Sequence, residues 1–360
     1  MIRIRQAQVH KILSCAPGVT EIQVEQAGVL QKAMNYDQMT GPVKAGDQVI
    51  LNTTAVQMGL GTGGYHFVMA NLANLQVDAA EAGHVMKMRY APHQVKVLTV
   101  EEQGSPHRGD MEGFKSLLGM PVVIGTLHSQ LPLAAVGVKL AGQDKLKVAY
   151  IMTDGAALPL AFSKLVQELK TKGLIDSTIT IGHAFGGDYE AVNIYTGLIA
   201  AKEVAKADVA IVTMGPGILG TGTEYGFSGV EQGTVINAVN TLGGKAIVIP
   251  RISFADPRER HLGVSHHTLK VLDKIAMTPG IVCVPDMDPV KNNFVQKQFH
   301  RLGVNTRHRI EVIDGWPAVR AAQEKYSLRV TTMGRRIEED QEFFLAAGAA
   351  GIFAQRELVY

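Results

Sequence analysis

The sequence contains few cysteines and few aromatic residues, and it has no long apolar run. Its two cysteines, Cys15 and Cys283, lie far apart in the 360-residue chain and form no CxxC pair. This argues against a disulfide framework and against a thiolate metal site, and it favours a reducing compartment. Aromatic residues make up only 6% of the chain, which disfavours stacking platforms for single-stranded nucleic acid.

An excess of one charge is also missing. The 35 Lys and Arg residues against 33 Asp and Glu residues give a formal net charge of +2, and these charges are scattered. The balance disfavours nucleic acid and membranes as partners and favours a small polar molecule. No segment approaches the roughly 20 apolar residues of a membrane span, and the first residues lack the pattern of a secretory signal. We therefore expect a cytoplasmic protein, and a homo-oligomer is left open.

The pattern of the chain changes near residue 105. Residues 1–105 carry short alternating or β-branched segments, which predicts a β-rich, barrel-like N-terminal domain. A polar segment at 103–110, rich in Gly, Ser and Pro, is interpreted as a linker. The glycine-rich segment 52–67, which includes His66, is interpreted as a barrel corner or as a lid.

Residues 106–360 alternate apolar strands with amphipathic helices, which is typical of βαβ units. Crossover connections of this kind are right-handed, so the pattern predicts an α/β, Rossmann-like domain with a doubly wound, mostly parallel sheet. The predicted strands are 121–125, 147–153, 178–182, 208–214, 245–250, 281–285 and 309–313. The predicted helices include 158–172, 191–205 and 230–242.

Polar side chains follow the first three of these strands. His128 and Ser129 follow the first strand, Asp154 the second and His183 the third, with Asp188 close behind. Because ligands of open α/β sheets bind beyond the carboxyl ends of the strands, we expect one polar site at this edge. His128 or His183 would be a general base, with Asp154 or Asp188 fixing its tautomer.

The third strand also offers a metal-binding possibility. His183, Asp188 and Glu190 supply nitrogen and oxygen ligands suited to a divalent ion, which would activate a bound water. Their spacing matches no diagnostic metal motif. A loop-tying role for His183 and an N-cap role for Asp154 therefore stay open.

A glycine run follows the fourth strand. Gly215, Gly217 and Gly220 make a literal GxGxxG, but Pro216 is a poor helix starter, so a dinucleotide site is one of three interpretations. The second is a backbone nest for an anion, and the third is a tight structural loop. The predicted ligand-binding residues of this run are Gly215, Gly217, Gly220, Thr221, Gly222 and Thr223.

A basic segment follows the fifth strand. Arg258, His261, His266 and His267 form part of a cluster dense enough to recognise a phosphate or a carboxylate, although a solvated basic loop is the alternative. Ser265 is predicted to cap a helix. Because cations are disfavoured in the first turn of a helix, His266 and His267 should stay neutral.

The segments 126–130, 152–155, 182–188, 215–223 and 260–267 together resemble an uncharacterised bacterial family, the domain of unknown function 3866. The resemblance covers essentially the whole chain. It implies no activity, cofactor or site residue.

These observations predict an enzyme of hydrolase or transferase type that acts on a small anionic substrate by His and Asp acid-base chemistry, with a divalent metal ion as the cofactor considered. One alternative is a nucleotide- or NAD(P)-binding oxidoreductase that uses the glycine run. The other is a non-catalytic module that binds a metabolite.

Overall fold

The structure is a computed structural model that describes residues 2–61, 63–79 and 82–358. The chain divides into two compact units, residues 1–98 and 99–360. The division precedes the predicted linker because Thr99 and Val100 already pair with Glu190 of the second unit, where the Val100 N–H donates to the Glu190 carbonyl at 2.9 Å.

The first unit is a closed five-stranded barrel with the strand order β1-β2-β3-β5-β4. Strands β3 and β5 run parallel, and the other neighbours are antiparallel. Inward side chains such as Ile22 and Val24 are fully buried. The barrel-like N-terminal domain is confirmed. Its strands are β1 (Ile4–Ala16), β2 (Val19–Gln26), β3 (Val29–Tyr36), β4 (Gln48–Asn52) and β5 (Tyr65–Asn71). The unit also contains α1 (Asp37–Thr40), α2 (Thr54–Gln57), β6 (Val85–Lys87) and β7 (Val95–Val97).

The glycine-rich segment 52–67 connects β4 to β5, although its residue 62 lies outside the described residues. His66 belongs to β5 and is buried in the barrel, with Nε2 2.9 Å from Gln31 Oε1. The histidine therefore belongs to the barrel itself, which fits the interpretation as a corner better than that of a lid.

The second unit contains an eight-stranded sheet in which all neighbouring strands are parallel. Its order is β11-β10-β9-β12-β8-β13-β16-β17. The predicted Rossmann-like α/β fold is confirmed. The strands are β8 (Pro121–Ile124), β9 (Val148–Thr153), β10 (Ser177–Thr180), β11 (Tyr189–Glu190), β12 (Val209–Met214), β13 (Lys245–Val248), β16 (Ile281–Pro285) and β17 (Arg309–Ile313). A separate two-stranded sheet pairs β14 (Ile252–Ser253) with β15 (Gly263–Val264).

Helices cover both faces of the sheet and create one apolar core on each side. Helices α4, α5, α11 and α12 pack on one face, and α7 and α9 pack on the other. The helices are α3 (Arg108–Glu112), α4 (Leu131–Ala141), α5 (Lys164–Thr171), α6 (Ile194–Ile199), α7 (Glu231–Thr241), α8 (His266–Lys270), α9 (Pro289–Arg301), α10 (Val304–Arg307), α11 (Trp316–Glu324) and α12 (Gln341–Arg356). Helices α6 and α8 continue into π-helical turns at Ala200–Val204 and Val271–Ile275.

Burial explains why these segments adopt their conformations. Every residue of β9 is buried, as expected for a parallel strand covered on both faces. Helices α4 and α12 approach closely, because a Cβ atom on Gly351 would lie 2.1 Å from the Ala134 carbonyl oxygen. Within the described residues, no helix has both the length and the apolar composition needed to cross a membrane.

Candidate functional site

The chain leaves two neighbouring strands in opposite directions. From β8 it passes to α4 on one face and then to β9, whereas from β12 it passes to α7 on the other face and then to β13. Two adjacent parallel strands with such diverging connections leave a crevice beyond their carboxyl ends. The candidate site lies in this crevice, and we call it the switch-point cleft.

The larger part of the cleft, here called the larger lobe, has a volume of about 390 Å³. The turn after β8 forms one wall, the glycine run after β12 forms the second, and the segment 329–333 forms the third. Its floor and walls are mostly apolar. The lining residues include Leu127, His128, Ser129, Pro132, Leu165, Pro216, Gly217, Ile218 and Val330.

A smaller cavity of about 130 Å³ adjoins the larger lobe and shares Ile218 and Met333 with it. Its other lining groups are polar or belong to the glycine run, and we call this cavity the arginine lobe. The lining residues include Arg251, Arg258, Arg260, His261, His267, Gly220 and Gly222.

One buried carboxylate organises the arginines. The side chain of Asp256 is fully buried, and Arg258 forms a two-point contact with it, with Nε–Oδ1 at 2.8 Å and Nη2–Oδ2 at 2.7 Å. Arg251 Nη2 lies 3.1 Å from Oδ2. The hydrogen bonds from Arg258 hold the pKa of Asp256 far below its usual range, even though burial opposes this. The carboxylate is therefore ionised, and it fixes the directions of both guanidinium groups.

The arginine lobe carries more positive than negative charge. Arg251 is almost fully buried, and burial lowers its pKa to about 10, which still leaves it charged at neutral pH. Arg260 has no ion pair within the described part of the chain, and its guanidinium lies near the position that a Cβ atom on Gly222 would occupy. Three lining arginines against the one carboxylate of Asp256 leave two positive charges in excess.

Three histidines pack together beside these arginines. The ring centroids of His261, His266 and His267 lie 4.2 to 5.2 Å apart, and Phe227 stacks on His267 at 4.0 Å. Burial, and then neighbouring positive charge and imidazoles, lower the pKa of His261 and His267 to about 3. His261 and His267 are therefore neutral at physiological pH, and burial also lowers the pKa of His266. Neutrality was predicted for His266 and His267 from the helix end, whereas burial is the main cause.

Several polar groups around the arginine lobe lack a partner. His267 is 6% exposed, and its Nδ1 is buried without a hydrogen-bond partner among the described residues, as is Nε2 of His266. The backbone N–H groups of Gly217, Ile218 and Gly220 also form no hydrogen bond with the described residues, but these three residues are exposed or half-buried. Buried polar groups normally find a partner, so the two unpartnered ring nitrogens are the ones that a ligand would satisfy.

The glycine run forms a hairpin-like loop. The Ser228 N–H donates to the Leu219 carbonyl at 2.9 Å, and the Thr221 N–H donates to the Gly226 carbonyl at 2.8 Å. Thr221 and Thr223 also bond each other through their hydroxyl groups. Helix α7 begins only at Glu231, whereas a dinucleotide fingerprint opens directly into a helix. The dinucleotide interpretation therefore lacks its structural context.

The glycines of this run have different roles. A Cβ atom on Gly215 would lie 2.7 Å from the Ala157 carbonyl oxygen, so this glycine is required for close packing. Gly217 has a φ of 107° and open space around it, and Gly220 lies against the ring of His267. Gly217, Gly220 and Gly222 line the cleft, which agrees with the nest interpretation for this part of the run.

His128 lines the larger lobe, but both ring nitrogens face hydroxyl groups. Nε2 lies 2.7 Å from Ser163 Oγ, and Nδ1 lies 3.3 Å from the Tyr150 hydroxyl. Burial lowers the pKa of His128 to about 4. The predicted pairing of His128 with Asp154 is therefore wrong. Ser129 also lines the lobe and donates to the Thr332 hydroxyl at 3.1 Å.

The predicted metal ligands are not brought together. Asp188 accepts bonds from Lys170 at 2.6 Å and from Thr178, and these outweigh the effect of burial and lower its pKa. Glu190 accepts bonds from the Thr180 hydroxyl and the Gly186 N–H. Both carboxylates are therefore bonded to threonines of β10.

The metal prediction therefore fails on geometry. Within residues 2–61, 63–79 and 82–358, no three His, Cys, Asp or Glu side chains are grouped so that they could hold a metal ion. The side chain of Asp154 accepts the His183 backbone N–H at 2.9 Å. It ties one loop to another, and the N-cap of α5 is Ser163 instead.

Glu231 is a titratable residue with a shifted pKa that the sequence did not reveal, and it lines neither lobe of the cleft. It lies in the first turn of α7 and accepts the Thr153 hydroxyl at 2.5 Å. Burial, with a contribution from the nearby charge of Asp154, raises the pKa of Glu231 to about 7. Arg251 and Asp256 were also missed as functional residues, because the sequence does not show that the two side chains bond each other inside the protein.

Comparison with known families agrees with the resemblance seen in the sequence. The chain matches the family described as Protein of unknown function (DUF3866) over residues 32–351, and it belongs to this family. No curated protein matches the chain.

Proposed function

We propose that this member of the DUF3866 family binds a small anionic metabolite in the switch-point cleft. The anionic group would occupy the arginine lobe, and the remainder of the molecule would occupy the larger lobe. The observation that carries the proposal is the arginine lobe itself, with two positive charges in excess and buried polar atoms without partners.

The energetics favour an anion at this position. Arg251 is buried, and its Nη2 bonds Asp256, but an arginine has five N–H donors and the others stay available. An anion bonded by the buried, oriented guanidinium of Arg251 interacts more strongly than it would in water, and the exposed Arg260 adds a weaker attraction. An anion would also give a partner to the N–H groups of the glycine run.

The larger lobe fits the body of a small molecule. Its volume lies within the range of roughly 300 to 1,000 Å³ that is usual for small-molecule sites. Apolar side chains such as Leu127 and Ile218 would contact the ligand, and the hydroxyl of Ser129 would orient it. The scattered overall charge and the small volume of the arginine lobe favour a metabolite over a polymer.

The proposal is limited to binding. The expectation of hydrolase or transferase chemistry depended on a paired histidine and aspartate, and no such pair lines the cleft within the described residues. The expectation of an oxidoreductase depended on a strand-turn-helix at the glycine run, where the chain forms a hairpin. A non-catalytic metabolite-binding module is thus the version with the most support.

The test is ligand-induced thermal stabilisation of the purified protein. A panel of phosphorylated and carboxylated metabolites is compared with neutral analogues, and a ligand at a hundred times its dissociation constant adds about 2.7 kcal/mol to the free energy of unfolding. Arg260→Ala should weaken anion binding about tenfold or more, since it removes an unpaired cation. The stabilisation by a given anion concentration should fall accordingly. Arg301→Ala, an exposed arginine at the end of α9, is the matched control. Equal binding by the two variants would refute the proposal.

A further inference from the structure

We infer that the anionic group received by the arginine lobe is a phosphate monoester, held by Arg251 and Arg260 on one side and by an imidazole N–H of His267 and the glycine-run amides on the other. This inference rests on the proposed binding function and specifies its ligand class.

The net charge of the arginine lobe favours a phosphate monoester. The lobe has two positive charges in excess once Asp256 is counted against Arg251, Arg258 and Arg260. A phosphate monoester carries about −1.5 to −2 at neutral pH, whereas a carboxylate or a phosphate diester carries one negative charge. A monoester would therefore neutralise the lobe, and a singly charged group would leave one of its positive charges without a counter-charge.

The arrangement of hydrogen-bond donors in the arginine lobe also favours a phosphate. The backbone of Arg251 is fixed at two points. Its backbone N–H donates to the Thr268 hydroxyl, and its backbone carbonyl accepts the Ser265 N–H. Arg260 lies over the glycine loop near Gly222, and His267 comes from α8. Donors that approach from separate elements suit the three oxygens of a tetrahedral phosphate better than the two in-plane oxygens of a carboxylate.

The volume of the arginine lobe is compatible with a phosphate group. The arginine lobe has a volume of about 130 Å³. This volume is large enough for a phosphate group. The rest of a phosphorylated molecule would extend past Ile218 and Met333, the two residues that both lobes share.

The buried, neutral ring of His267 supplies a further donor. The ring is almost fully buried, stacks on Phe227, and has an unpartnered Nδ1, while a Cβ atom on Gly220 would lie 3.3 Å from its Cε1. A neutral imidazole keeps one N–H donor and one acceptor. Burial and then the neighbouring His266, His261, Arg251 and Arg260 lower the pKa of this ring. A neutral ring beside two cations adds a donor without further repulsion.

The experiment uses three probes that separate charge from shape, which are methyl phosphate, dimethyl phosphate and acetate. Each is titrated into the full-length protein by isothermal calorimetry at about pH 7.5, where the monoester is largely a dianion. Methyl phosphate should bind about tenfold or more tightly than either monoanion.

Two variants and one control locate the effect. Arg260→Gln removes the unpaired cation, and His267→Phe keeps the ring stacked on Phe227 while removing its nitrogens. Each should weaken methyl phosphate binding about tenfold and bring its affinity close to that of acetate, whereas Arg301→Gln should change nothing. Thermal unfolding without ligand checks that each variant is folded.

The outcomes separate the two levels of the argument. If acetate or dimethyl phosphate binds within about threefold of methyl phosphate, the inference of a monoester is overturned while the proposed anion binding stands. If His267→Phe and Arg260→Gln bind methyl phosphate as the wild-type protein does, the ligand lies outside the arginine lobe, and both the inference and the proposed site are overturned. If none of the three probes binds, the inference and the proposed function both fail.

Discussion

Replacing Glu231 by glutamine should make the protein more stable at high pH but not at low pH. The pKa of this carboxyl rises from its usual 4.5 to about 7 in the folded chain, chiefly through burial. Between these two values the folded state binds more protons than the unfolded state, so the stabilising contribution is present below about pH 4.5 and is lost as the pH rises through 7. At 1.36 kcal/mol per pKa unit, the loss is on the order of 2 to 3 kcal/mol after allowance for partial exposure.

The substitution is nearly isosteric and keeps the acceptor for the Thr153 hydroxyl. Urea unfolding of the wild-type protein and of Glu231→Gln at pH values from about 5 to 8 measures the difference directly, because other titrating groups affect both proteins alike. Asp154→Asn is the matched control, because it removes a negative charge that helps to raise the pKa of Glu231. In a protein that carries Asp154→Asn, the pH-dependent effect of Glu231→Gln on stability should therefore be smaller. A difference in stability that is the same at both ends of the pH range would show that the Glu231 carboxyl is not protonated in the fold, and the reasoning would be wrong.

Two further predictions concern stability. Asp256→Asn should destabilise the protein by about 3 to 5 kcal/mol in urea unfolding, because it leaves buried guanidinium charge without its partner, and a loss below about 1 kcal/mol would contradict the described clamp. Gly351→Val should destabilise by about 1 to 3 kcal/mol or more, because its Cβ would collide with the Ala134 carbonyl oxygen. The control Gly109→Ala, on the exposed helix α3 with open space around it, should be neutral or stabilising, and equal losses in the two variants would exclude the packing explanation.

The strands of the parallel sheet could be predicted because both of their faces are buried. Strand β9 is covered on both faces, so its sequence is almost continuously apolar, and its location follows from that pattern. The barrel strand β3 has no such pattern, because it carries Gln31 and Lys32 on a partly exposed surface. Helices α4 and α12 are difficult to recognise for the opposite reason, since they are apolar on nearly all sides and lack a helical periodicity.

The candidate site was predicted unevenly. The segment around Arg258 and His261 was predicted to recognise an anion, because so many cations and imidazoles within ten residues are unusual, and both residues line the arginine lobe. The group around His183 and Asp188 had the same appearance in the sequence, but the carboxylates are bonded to Lys170 and to residues of β10. Residue types alone did not distinguish a group open to a ligand from one already satisfied within the fold.

The sequence by itself determined the two-unit organisation, the parallel sheet and the polar character of the edge beyond its strands, because these depend on local periodicity and composition. Only the tertiary structure decided which loops became neighbours at that edge. The sheet order places β12 between β9 and β8, so the glycine run separates Asp154 from His128, and Ser163 takes the position beside the imidazole. Contacts between loops distant in the chain depend on this strand order, which arises from the packing of the crossover helices and has no local signature.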